Sequence, residues 1–175
     1  MSLKLAAIFK DYMVVQRNRP ITVFGTGVPK TVVTVSLHTS SSKTVVAKDG
    51  TWCATLPPLS AGTDYVLTVS DGTTEEQRKQ VAVGEVWLDG GQSNMELALR
   101  DSADGVAVSK AYTGTQIRFY QVPKRAVLDE THQQLEAQSA WKIAAAENVG
   151  DLSAVAFYFA KRLAQKRKGQ VKVID

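Results

Sequence analysis

Cysteine and histidine are nearly missing from this chain of 175 residues: it has one cysteine, Cys53, and two histidines, His38 and His132. One cysteine excludes an intrachain disulfide, and one cysteine with two histidines argues against a structural zinc site. Cys53 sits in the alternating run TWCATL and reads as a small buried hydrophobe. No apolar run approaches the roughly 20 residues that span a bilayer, so no membrane partner is expected. The first residues, MSLKLAAIFK, lack the apolar core and cleavage site of a secretory leader. That leans the compartment toward the cytoplasm, while a leader already removed would leave secretion open. The net charge is only +4, and the basic residues gather in KRLAQKRKGQVK, Lys161 to Lys172. That stretch has no interleaved aromatics to stack bases. It reads as the solvated face and cationic end of a helix, where positive charge suits the macrodipole, and no nucleic-acid partner is expected.

What is present falls into two rhythms. Residues 1–82 are rich in short β-type runs. ITVFG ends at Gly25, TVVTVSL (Thr31 to Leu37) alternates, and SKTVVAKDGTWCATL suggests a hairpin turning at Asp49-Gly50. DYVLTVS follows and ends at Asp71-Gly72, and QRKQVAV closes the set. Short strands at this spacing, with Gly and Pro turns, predict a small all-β sandwich. From residue 83 the pattern becomes GEVWLDG (strand), NMELALRD (helix), TQIRFYQV (strand), then DLSAVAFYFAKRLAQKRK (long helix) and VKVID (strand). Glu96 and Arg100 are spaced to pair across one turn of the first helix. Asp151 or Ser153 can cap the long one, and Leu152, Val155, Ala156, Phe159 and Leu163 fall on one face. Residues 124–150 read as loop with short pieces, with Trp141 packed. Strand–helix alternation of this kind predicts the first part of an α/β domain with a parallel sheet. Three such strands would leave much apolar sheet surface uncovered. The second domain, 83–175, is therefore expected to be incomplete at its carboxyl end.

The stretch VWLDGGQSNM, Val86 to Met95, lies where chemistry is expected in such a fold, just past the end of a strand and before a helix. A serine there is presented on a turn, beside helix amides that lack intrahelical partners. Those amides can stabilise an oxyanion. Three readings stay open on the residues alone. Ser93 is a helix cap with a glycine loop before it, or a nucleophile, or part of a phosphate loop. The third is weak, because no Lys-Ser/Thr pair follows the glycines and no G-x-G-x-x-G is present.

GEVWLDGGQSNMEL resembles the nucleophile block of the sialate O-acetylesterase-like branch of the SGNH hydrolases. IFKDYMVVQRNRPITVFGTG (8–27), DGTWCATLPPLSAGTDYVLTVSDG and VGDLSAVAFYFAKRLAQ (149–165) resemble further segments of that family, in the family's order. The resemblance implies an SGNH-type esterase that removes O-acetyl groups from sugars, such as O-acetyl sialic acids or polysaccharide units, without a cofactor. It implies Ser93 as nucleophile, its own amide serving the oxyanion, and Gly91, Gln92 and Asn94 shaping the turn. Asp89 stands where the family often has a small residue, and a carboxylate facing the pocket would oppose a developing oxyanion. Leu152 replaces a commoner Phe.

A serine needs a base, usually a histidine held by a carboxylate. His38 ends a strand and reads as a surface residue. His132, in LDETHQQLEAQ, reads as part of a solvated connecting stretch, and Asp129 and Glu130 beside it do not make a triad by proximity alone. The resemblance puts the Asp and His together as an Asp-x-x-His near the carboxyl end of the domain; none is read in this chain, so both are expected beyond Asp175. A contrasting expectation is a non-catalytic, glycan-binding or degenerate homologue. Trp52 is the candidate aromatic platform for that, although its alternating run favours a core role.

Overall fold

Alternation in the first half builds two antiparallel sheets. The computed structural model describes residues 2–124, 127, 129–166 and 171–174. The chain divides into two units, Met1–Val83 and Gly84–Asp175. In the first, β1 (Lys4–Leu5), β3 (Ile21–Thr26) and β6 (Thr51–Leu56) form one sheet in the order β1-β3-β6. In the other, β4 (Val32–Leu37) lies between β5 (Ser40–Val45) and β7 (Gly62–Ser70). β7 pairs in turn with the first part of β8 (Glu75–Leu88), and β2 (Val14–Gln16) also pairs with β8. Strand side chains point alternately to opposite faces. Val23, Val33, Val35, Leu37, Leu56, Leu67 and Val69 are accordingly fully buried, with polar residues between them.

Two expectations fail here. The run 42–56 is not a hairpin. The turn forms, with Gly50 at φ 85° and the Asp49 carboxylate accepting from the Thr51 amide at 2.9 Å. But β5 pairs with β4 and β6 pairs with β3, so the turn carries the chain from one sheet to the other. Cys53 is exposed, not buried. Trp52, Ala54 and Leu56 take the inward positions of β6, so the residues between them must face out. Trp52 is 3% exposed and its indole N–H donates to the Thr26 carbonyl at 2.9 Å. It is a core residue, unavailable as a glycan platform.

In the second unit, the end of β8 joins β9 (Ile117–Tyr120), β10 (Lys142–Ile143) and β11 (Val171–Ile174) in the order β10-β9-β11-β8. β11 runs parallel to both β8 and β9, and only β10 is antiparallel. QRKQVAV and GEVWL, separate runs in sequence, are one continuous strand, β8. The helices are α1 (Ser93–Glu96), α2 (Gly105–Lys110), α3 (Glu130–Gln138) and α4 (Ala154–Lys166), with 3-10 turns at Leu99–Asp101 and Val149–Asp151. Among the described residues, no helix is long and apolar enough to cross a membrane.

α4 packs through Ala156, Phe157 and Ala160 onto a core with Leu99, Ile117, Phe119, Val149 and Leu152. Of the face expected from the sequence, Leu152 and Ala156 are buried in this core and Leu163 packs against it. Val155 and Phe159 are exposed, and Leu163 is only partly buried. Phe159 instead meets the half-exposed Trp87 edge-on, ring centroids 5.1 Å apart. Ser153 caps α4, its hydroxyl accepting from the Ala156 amide at 3.4 Å, while the Asp151 carboxylate pairs with Arg100. α3 occupies part of what reads as loop in sequence, and Trp141 is buried against Tyr120 as expected. The end of the KRLAQKRK run at 167–168 lies outside the described residues.

Candidate active site

β8 ends at Leu88, and Asp89 to Gln92 lead directly into α1, whose first residue is Ser93. Since β8 and β9 both run parallel to β11, this turn stands at the carboxyl edge of the parallel strands. Gly91, Gln92, Ser93 and Asn94 are all exposed. The Gln92 carbonyl accepts the first helical bonds, from Met95 at 2.7 Å and Glu96 at 3.1 Å. Ser93 and Asn94 precede those bonds, so their amides are the unpaired ones that a helix start presents. Among the described residues the Ser93 hydroxyl and amide make no hydrogen bond. Ser93 is therefore not a helix cap: the cap position belongs to Gln92, which makes no side-chain capping bond.

Neither Gly90 nor Gly91 adopts the left-handed backbone. Their value is space. A Cβ on Gly91 would lie 2.6 Å from Met95 Cγ, whereas one on Gly90 would meet nothing within 4 Å. Asp89 is partly buried, with its Oδ2 enclosed by protein rather than open to the exposed turn.

The helix expected over NMELALRD stops after one turn. Leu97 is extended, with φ −63° and ψ 111°, and Ala98 forms an antiparallel bridge with Ser153. Leu99 N–H donates to the Leu152 carbonyl and Ala154 N–H to the Leu97 carbonyl, both at 2.8 Å. These tertiary bonds straighten the chain and tie the serine turn to the start of α4. The expected Glu96–Arg100 pair does not form for the same reason. Glu96 lies 3.6 Å from Lys124, and Arg100 pairs with Asp151.

Among the described residues, no hydrogen bond or ion pair joins His132 to this turn. His38 is exposed on the β4–β5 turn, at φ 54°, with its ring 4.6 Å from that of Tyr65. His132 is 9% exposed in the first turn of α3, not in a solvated loop. Asp129-Glu130-Thr131-His132 does carry an Asp-x-x-His spacing, which a reading of this stretch as a polar connection passes over. The spacing serves the helix: Asp129 Oδ1 accepts from the His132 backbone amide at 2.9 Å, an N-cap, and the buried His132 Nδ1 has no hydrogen-bond partner among the described residues. Among the described residues, no group of three or more His, Cys, Asp or Glu is placed to hold a metal ion.

Comparison with known proteins gives the class first. A solved carbohydrate acetylesterase from Xanthomonas citri is 32% identical with a TM-score of 0.86, over 98% of this chain and 39% of that one. A curated relative, the sialate O-acetylesterase of Mus musculus, is 26% identical over 179 aligned residues, 91% of this chain and 33% of the relative. No family model matches. The chain therefore spans well under half the length of either protein. The chain is similar to these acetylesterases along nearly its whole length.

Proposed function

We propose that this chain is the amino-terminal part of an SGNH-type serine esterase that removes O-acetyl groups from acetylated sugars, with a β-sandwich before its catalytic domain. The observation that carries the reading is Ser93, exposed with unbonded hydroxyl and amide at the carboxyl edge of the parallel strands. The similarity to acetylesterases supplies the substrate class. In this reading a base supplied from beyond Asp175 removes the Ser93 proton as Oγ attacks the acetyl carbonyl. The tetrahedral oxyanion takes the Ser93 amide, and the sugar oxygen leaves with the proton. Water then attacks the acetyl-serine by the same path, releasing acetate and restoring the hydroxyl. Gly91, Gln92 and Asn94 shape the turn around the acyl group.

The test is acetate release from an acetylated sugar by the complete protein and its Ser93→Ala variant. Loss of a triad nucleophile costs on the order of 10⁶ in kcat. Unchanged turnover in the variant rules the assignment out. Turnover that survives both His38→Ala and His132→Ala but not Ser93→Ala is expected if the histidine base lies outside this chain.

A further inference from the structure

The chain leaves β9 at Tyr120 and re-enters the sheet at Lys142, the first residue of β10. β10 is antiparallel to β9, so the connection between them, which carries α3, projects from one edge of the sheet. That is the carboxyl edge, where Ser93 stands, because β8 and β9 both run parallel to β11. Side-chain contacts agree. Lys124 lies 3.6 Å from Glu96 of the serine helix, and Gln121 Nε2 donates to the Asp151 carbonyl at 3.2 Å. The connection that carries α3 therefore borders the serine turn.

α3 is seated differently from α4. Its sequence, ETHQQLEAQ, buries no apolar side chain, and Leu135 is 39% exposed. A helix this short does not hold itself together in water and depends on tertiary packing. α4 obtains that packing from Ala156, Phe157 and Ala160. α3 meets the sheet through a long polar contact, the Tyr120 hydroxyl donating to the Glu136 carbonyl at 3.5 Å. The side chain it buries is His132, whose Nδ1 is enclosed without a hydrogen-bond partner among the described residues. Enclosing a polar atom in this way opposes seating, and water satisfies it once the helix lifts. Seated and lifted positions are thus close in free energy, the condition from which active-site lids are drawn.

We infer that α3 is a lid on the serine site, which lifts to admit the sugar and reseats against it. The inference rests on the esterase reading for the place of the acyl group. The test is hydrogen exchange in the complete protein, read by mass spectrometry, with xylose tetraacetate as probe and Ser93→Ala to hold it unhydrolysed. In the free protein, peptides of α3 should exchange roughly 100-fold faster than those of α4. The sugar should slow α3 roughly tenfold and leave α4 unchanged. His132→Leu removes the unpartnered nitrogen and should slow α3 roughly tenfold with no ligand present. Tyr120→Phe removes a seating bond and should speed α3 while α4 keeps its protection. A lid that lifts less readily restricts entry of the sugar. His132→Leu should therefore lower kcat/KM for xylose tetraacetate, but not for vinyl acetate, which has no sugar to admit. α3 exchanging as slowly as α4, or failing to respond to the sugar, overturns the lid. So does an equal loss of kcat/KM for both esters in His132→Leu. The esterase reading fails by a different result, acetate release from Ser93→Ala at the parent rate.

Discussion

Replacing Gly105 by alanine should destabilise the second unit, against what helix propensity alone predicts. Gly105 opens α2 and is buried. Alanine at an ordinary helical backbone position gains roughly 0.5–1 kcal/mol over glycine. Here the new Cβ would sit 1.5 Å from the Leu99 carbonyl oxygen and 2.6 Å from its carbon. Both are backbone atoms of the 3-10 turn that Ser102 closes, its hydroxyl donating to the same Leu99 carbonyl at 2.7 Å. They cannot rotate aside as a side chain would, so α2 and that turn must part. Overpacking costs about 1–3 kcal/mol, and a backbone collision belongs at the upper end. The net loss should be about 2–2.5 kcal/mol. For a unit of this size each kcal/mol moves Tm by roughly 4–8 °C. Thermal unfolding of Gly105→Ala beside Gly90→Ala is the assay. Gly90 has open space around it, so its variant should stay within about 0.5 kcal/mol of the parent. A Gly105→Ala protein that melts at or above the parent would refute the steric argument.

Other predictions follow from single contacts. Cys53 is exposed on the outer face of β6, so it should react with a thiol reagent without denaturant, at a rate near that of a free thiol; protection until unfolding would contradict the phase of that strand. Phe157 is fully buried between α4 and the sheet, and Phe157→Ala should cost about 3–5 kcal/mol in denaturant unfolding, with a loss under 1 kcal/mol excluding that packing. The Asp71 carboxylate accepts from the Thr74 amide and then the Thr73 amide, which hold it below the ordinary aspartate range. Its folded pKa is depressed, so its stabilising contribution is present above the unfolded value of about 3.9 and lost as pH falls through the folded one. Side-chain carboxyl shifts should show Asp71 titrating below the ordinary aspartate value of about 3.9; titration at or above that value would overturn the assignment.

Much of the architecture was legible because burial follows period. β4, β7 and α4 stand out in sequence by alternation or helical spacing, and Ser93 by an apolar run broken at two glycines. What failed depends on partners distant in sequence. Asp49-Gly50 specifies a turn, but nothing local says that its two arms join different sheets. TWCATL announces alternation, yet its phase is fixed only when Trp52 enters the core, and that turns Cys53 outward. NMELALR has helix-forming residues, but bonds from Leu97 and Leu99 to the start of α4 win over local propensity. On α4, Phe157 rather than Phe159 faces the sheet, a choice made by Phe119 and Leu152 across the interface. The serine turn could be read from its own residues; His132 could not, because its burial depends on where α3 comes to rest.

The most direct test of the central claim is to trap the acyl-enzyme. The complete protein would be mixed with an acetyl ester, quenched within a turnover, digested and examined by mass spectrometry. An added acetyl group is expected on the peptide containing Ser93 and not in Ser93→Ala. Acetate release at full rate with the acetyl group on another residue, or with Ser93→Ala still turning over, would contradict it.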